Sequence, residues 1–241
     1  MDSDVDKCRR CQKTRAGLWR DAKCSSFLCY QCLGMSTKRF DERLHRPAKV
    51  KSTFDFGDGN GPVRARRHNN PNGTIGGWVA KTAFVSPSAH VGKDAQVYGA
   101  ARVHGYAQVL DSAKVSDTAL VSGRARIAGR AFVAGEAQVL QNARVYGNAY
   151  VYGKARITGN AKVSGVSLVY GSARVGGYSS VYGCGRVYDY AAVGGEAAVF
   201  GTAAVFGRAR IGGSARVYGT AKMSGASGVR GTERVSEGEH Q

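Results

Sequence analysis

From Val79 to Val235 one phrase, G-x-A-x-V-x, recurs through 27 consecutive hexads with no insertion or deletion. The run "VYGNAYVYGKARITGNAKVSG", residues 145–165, is representative. One position of every hexad is Val, apart from Ile127, Ile157, Ile211 and Met223, so it defines an apolar row. Two residues earlier Ala fills 21 of 26 places, the others being Ser167, Ser179, Gly185, Ser227 and Glu233, which demands a small side chain. Four residues before the apolar row Gly fills 19 of 23 places, with Asp111, Asp117, Asp189 and Gln141 as substitutes. Gly with Asp as its commonest replacement marks a backbone corner of restricted φ/ψ.

A helix cannot use this pattern, because apolar residues six apart drift around a 3.6-residue turn and never gather on one face. Alternation within the hexad instead suits a short strand: the Ala and Val point to one side and the residues flanking Val to the other. A corner every six residues closes such strands into a coil, and stacked coils pair each strand with its equivalents above and below. The expected fold is mainly β, a parallel β-helix. In its motif the run resembles the hexapeptide-repeat, left-handed β-helix superfamily, and more closely the uninterrupted "GNAxVYG" repeat proteins of bacteria and their phages. That resemblance implies three hexads per triangular coil, hence about nine coils, left-handed winding, and a rod roughly 40 Å long at about 4.8 Å per strand. This chain places Gly two residues after the aliphatic position, whereas the superfamily's commonest motif places it directly after.

Composition divides the chain into a small metal domain (1–46), a linker rich in Gly, Asn, Pro and Arg (47–78) and the solenoid (79–241). The start "MDSDVDKCRR" has no apolar stretch of the kind a secretory signal carries, and no window approaches the roughly 18 apolar residues of a membrane span. A cytoplasmic location is therefore expected, where thiols stay reduced. In that setting Cys8 and Cys11, then Cys29 and Cys32, match the C-x2-C…C-x2-C spacing of a structural Zn2+ site. Four thiolates supply tetrahedral coordination, and a metal replaces the core that so short a domain cannot build. With "LGMSTKRFDERLHR" read as a short amphipathic helix, the segment resembles a treble-clef or zinc-ribbon finger. Cys24 either joins the ligands or packs.

The formal charge is +18, and both parts share it: residues 1–78 carry 16 basic against 8 acidic side chains, the remainder 19 against 9. Such a balance favours an acidic partner such as nucleic acid, and equally serves solubility. With three hexads per coil, Arg126, Arg144 and Lys162 form a ladder on one face, which Arg216 and Arg234 resume. Tyr146, Tyr182, Phe200 and Tyr218 flank it. Basic and aromatic residues interleaved on a rigid surface are what single-strand binding uses. Arg64, Arg66 and Arg67 add a basic arm in the linker.

On the next face Tyr152, Tyr170, Tyr188 and Phe206 follow the core row at intervals of three hexads, while Phe132, Tyr150 and Leu168 precede it. Exposed apolar strips of that extent mark interfaces, and aromatic ladders also stabilise their own coil. Superfamily resemblance implies three rods around an axis, hence a homotrimer through this face.

Chemistry is sparse. Acyltransferases of the superfamily use an interfacial His and loops that interrupt the hexads; here nothing interrupts them, and only His90 and His104 lie in the repeat, with His104 the one catalytic candidate. Neither a phosphate-binding loop nor a G-x-S-x-G elbow is present, and the Gly belong to corners. Cys184 reads as a free thiol, with Arg186 a weak hint of thiolate stabilisation. The expectation is a non-enzymatic binding or scaffolding protein with no small-molecule substrate, a self-associating β-helix that displays a zinc finger and a basic surface to nucleic acid, nucleoprotein machinery or a host protein, in the manner of a phage-encoded modulator; an acyltransferase is the alternative.

Overall fold

The computed structural model describes residues 52–241, together with the backbone of two strands, β1 (Leu18–Arg20) and β2 (Phe27–Cys29), which pair antiparallel. The chain divides between Lys51 and Ser52. Cys8, Cys11, Cys24, Cys32 and the expected helix lie outside the described residues; Cys29 ends β2.

The second unit is a parallel β-solenoid of about nine coils. Strands β3 (Thr53–Phe54), β4 (Val63–Asn69) and β5 (Ile75–Ala80) open it, followed by the two-residue strands β6 (Phe84–Val85) to β31 (Arg234–Val235) and a closing strand β32 (Glu239–His240). The repeat strands fall into three sheets in which every third strand pairs, so that Gln108 lies beside Arg126 and Val109 beside Ile127, three hexads on. Backbone amides donate to carbonyls of the next coil, as in Arg126 N to Ala143 O and Ala128 N to Val145 O, both 2.9 Å. The core is the Val row and the Ala row, buried from Val85 to Val229. β-Branched Val suits a pleated surface, and Ala leaves room where the chain bends inward toward each corner.

The three serines of the Ala row have a local cause. The hydroxyls of Ser167, Ser179 and Ser227 donate to the carbonyls of Ser164, Gly176 and Ser224 in the preceding turn, at 2.8, 2.7 and 2.6 Å. A Ser can thus stand in for Ala because its own turn satisfies it.

The linker expectation is corrected by the structure. Residues 52–78 are folded onto the first coils: β4 and β5 pair antiparallel, and β5 continues parallel onto β8 (Gln96–Val97). The Gly- and Asn-rich stretches that mimic a linker are the turns between these strands, at residues 55–61 and 70–73. β4 buries Ala65 and, three residues on, His68, and its pairing with β5 shifts register between Arg67 and Asn69. Phe56, Ala65, Ala80 and Tyr98 form a second small core, with Phe54, Trp78 and Phe132 against it. Asn70 completes the join: its Oδ1 accepts from Val91 N at 2.8 Å and its Nδ2 donates to Val91 O at 3.1 Å, so one side chain takes the place of a neighbouring strand.

Candidate nucleic-acid interface

The three-hexad register places Arg126, Arg144 and Lys162 side by side on strands β13 (Arg126–Ile127), β16 (Arg144–Val145) and β19 (Lys162–Val163). Each precedes a buried core residue and is therefore exposed. Arg216 and Arg234 pair in the same sheet further along. The three cations line a concavity of about 430 Å³ with Tyr146, Ala128 and Asp111. The Asp111 carboxylate accepts from Gly129 N at 2.8 Å, which employs it in the backbone.

Two adjoining concavities extend the surface, one holding Tyr106 and Arg124, the other Asn142, Asn160 and Tyr178. Residues 106, 124, 142, 160 and 178 are a corner column, each three hexads after the last, which sequence reasoning missed. The interval that marks the strand ladder marks this column too, but its positions carry no fixed polarity and so give no signal in the hexad phrase. Tyr106 and Tyr178 are among the most exposed aromatics, at 69% and 68%.

Among the described residues the ion pairs are Lys154–Glu136 at 3.9 Å and Lys222–Glu239 at 2.7 Å, and neither involves the ladder. Like charges one rung apart cost at most about 1 kcal/mol in bulk water. The solenoid tolerates that, and an anion laid along the ladder removes it.

Arg64, Arg66 and Arg67 do not join this surface. They sit on β4, in the sheet that carries the aromatic ladder. Arg67 Nη1 donates to Gly76 O and Lys93 O at 3.2 and 2.7 Å, and its guanidinium lies 4.8 Å from the Trp78 ring centroid. A basic arm is thus replaced by a structural arginine flanked by two exposed ones.

The aromatic face has the expected order. Tyr152, Tyr170, Tyr188 and Phe206 stack with centroids 4.9 to 5.0 Å apart and planes within 2°. Burial in the stack pushes the Tyr170 and Tyr188 hydroxyls above the ordinary phenol range. Phe132 and Tyr150 meet edge to face at 6.1 Å, and Leu168 pairs with Tyr150. Phe132 also packs on the N-terminal cluster, so part of its surface is covered within the chain. A second stack, Tyr182–Phe200–Tyr218, flanks the basic ladder.

His104 lies against Phe84, ring centroids 4.9 Å apart, and His90 pairs beside Gln108. Cys184 is an exposed free thiol. Among the described residues no group of three or more His, Cys, Asp and Glu could hold a metal, and no helix is long and apolar enough to cross a membrane.

No family model matches the chain, and no curated protein is significantly similar to it.

Proposed function

We propose that this chain is a non-enzymatic binding and scaffolding protein whose solenoid holds single-stranded nucleic acid along the Arg126–Arg144–Lys162 ladder. One observation carries the reading: three cations at consecutive rungs, without a carboxylate paired to them among the described residues, border concavities that also present Tyr106, Tyr146 and Tyr178. Guanidinium and ammonium groups take phosphates, and aromatic faces take bases whatever their sequence. In this reading the solenoid belongs to the hexapeptide-repeat class, and rods trimerise through the Tyr150–Tyr152–Tyr170 face. Cys8, Cys11, Cys29 and Cys32 hold Zn2+ in an N-terminal finger that engages a second partner in the cytoplasm, consistent with a phage-encoded modulator of nucleoprotein machinery.

Fluorescence anisotropy with an oligothymidylate tests the central claim. Wild type should bind more weakly as salt rises. Arg126→Ala/Arg144→Ala should reduce the slope of log K against log salt by about 1.4, since each single-strand phosphate contact contributes about 0.7. Tyr146→Ala should weaken binding by about 1–3 kcal/mol, the worth of one stacked base. An oligomer that fails to bind wild type, or that binds the double variant equally well, overturns the reading.

A further inference from the structure

The face that follows the aromatic one around the coil carries a second cluster of arginines. Arg156 and Arg174 are neighbours on its strands, Ala192 follows, and Arg210 lies beyond it. Just past the core row the same face carries Thr158, Gly176, Gly194, Gly212 and Arg230. At the corresponding positions the other two faces carry the stacked rings of Tyr152 to Phe206 and of Tyr182 to Tyr218. Here the ring column is missing, which leaves a trough of about 470 Å³ floored by glycine and bordered by Arg156, Arg174, Arg210 and Arg230.

The backbone does not require these glycines. Unlike the corner row, Gly176, Gly194 and Gly212 have no positive φ. A Cβ on Gly194 would meet nothing within 4 Å, one on Gly212 would only reach Arg230 Cγ at 4.0 Å, and one on Gly176 would meet a single side-chain atom, Thr158 Oγ1, at 3.0 Å. Each follows directly on a two-residue strand, where a missing side chain forfeits packing and lets a ligand or another backbone come close. The four arginines supply the second and stronger observation, because none of them belongs to the ion pairs among the described residues. Of the carboxylates at the corners beside this face, Glu196 accepts from Ser214 Oγ at 3.3 Å and Asp189 accepts from Gly207 N at 3.2 Å.

The trough adjoins the first interface. In one pass of the chain Arg156 lies on this face, Asn160 at the corner and Lys162 on the ladder; one coil later Arg174 and Tyr178 hold the same places as Arg156 and Asn160. Cations thus run from Arg126 through Arg144 and Lys162, over an edge lined by Asn160 and Tyr178, to Arg156, Arg174 and on to Arg210 and Arg230.

We propose that the trough is the second half of one binding path, so that a single nucleic-acid strand held on the Arg126–Arg144–Lys162 ladder turns the edge and continues along the glycine floor to Arg230. This rests on the single-strand reading above. A flexible strand can make that turn; a duplex, stiff over about 150 base pairs, cannot. Guanidinium groups hold the phosphates, and the floor, free of side chains, admits the sugar and base.

Oligothymidylates of about four and about sixteen nucleotides, the range of site sizes of single-strand-binding domains, separate the two halves on the full-length protein. In Arg174→Ala/Arg210→Ala the long oligomer should lose about 1.4 from its salt slope while the short one, accommodated on the ladder, is unchanged. Both arginines are exposed, so folding, followed by circular dichroism, should be preserved. Gly194→Glu, which adds a carboxylate to the floor where a Cβ meets nothing within 4 Å, should weaken the long oligomer selectively, and Arg174→Lys/Arg210→Lys should retain the slope. If wild type binds both lengths and the trough variants bind the long oligomer as wild type does, the trough proposal alone falls. If wild type binds neither, the single-strand reading falls and takes the trough with it.

Discussion

At the residue scale the corner row explains both its glycines and its exceptions. All four non-glycine occupants, Asp111, Asp117, Gln141 and Asp189, adopt φ between 54° and 62°. In each the side-chain oxygen accepts from the amide of the corner one coil on, Gly129, Gly135, Gly159 and Gly207 respectively, at 2.6 to 3.2 Å. The carboxylate or amide thereby offsets the steric cost of the left-handed conformation, about 1–2 kcal/mol. Gly165 has φ of 73°, and a Cβ there would lie 2.7 Å from Gly183 O. Gly165→Ala should therefore lower stability by at least about 1–2 kcal/mol, and Gly165→Asp by less, because its carboxylate can take the Gly183 amide; thermal melts of the two variants check the order. His68, 2% exposed, makes a different prediction. Its Nε2 donates to Ala89 O at 3.0 Å, and its buried Nδ1 has no partner. Burial lowers its pKa below the ordinary 6.5, with the Arg66 and His90 charges acting in the same direction. The unfolded chain therefore takes up the proton first, so this contribution to stability is complete above about pH 6.5 and is lost as pH falls toward the folded value. Melting at pH 5 should be lower than at pH 7.5, and His68→Gln, which keeps the donor to Ala89, should narrow the gap.

At the element scale each hexad is a strand and a corner, nearly interchangeable inside and individual outside. Core, small and corner rows stay in phase under removal of any whole hexad, whereas the outer columns return only every third. Deleting residues 146–151 should leave the circular dichroism of a β-solenoid intact, yet it would set Leu168 instead of Lys162 beside Arg144 and weaken oligonucleotide binding. Ladders were legible in the sequence for this reason: a side chain's neighbour is always three hexads away, so Tyr152, Tyr170, Tyr188 and Phe206 announce their stack. The strands of residues 52–80 were not legible. Apart from the pairing of Val79 with Val97 at the repeat's own interval, they are joined by antiparallel pairing and by the side chain of Asn70, which follow no interval, and their turns have the composition of a linker.

At the scale of the whole molecule the three faces of the rod differ in chemistry: one basic with a flanking aromatic stack, one aromatic, one grooved and basic. The two basic faces share an edge, and the aromatic face lies away from it. On the proposed reading that division would leave the aromatic face for self-association while a bound strand lay on the other two. Light scattering coupled to size exclusion should report a trimer in both low and high salt, and Tyr150→Glu/Tyr152→Glu, at 46% and 39% exposed positions, should give a monomer; a monomeric wild type defeats the trimer.

The sequence by itself determined the parallel coil, because a strand-and-corner phrase repeated at a constant interval stacks on its own copies; the three-hexad period was implied by the resemblance to the hexapeptide-repeat superfamily, and the structure has that register, from which the ladders of like side chains follow. Only the tertiary structure decided that residues 52–78 belong to the rod, that Arg67 is tied down, and that a glycine-floored trough meets the basic ladder across one edge. The first two depend on pairings outside the repeat, of which periodicity carries no record, and the third on the space left where a column of rings is missing, which takes shape only once the coils are stacked.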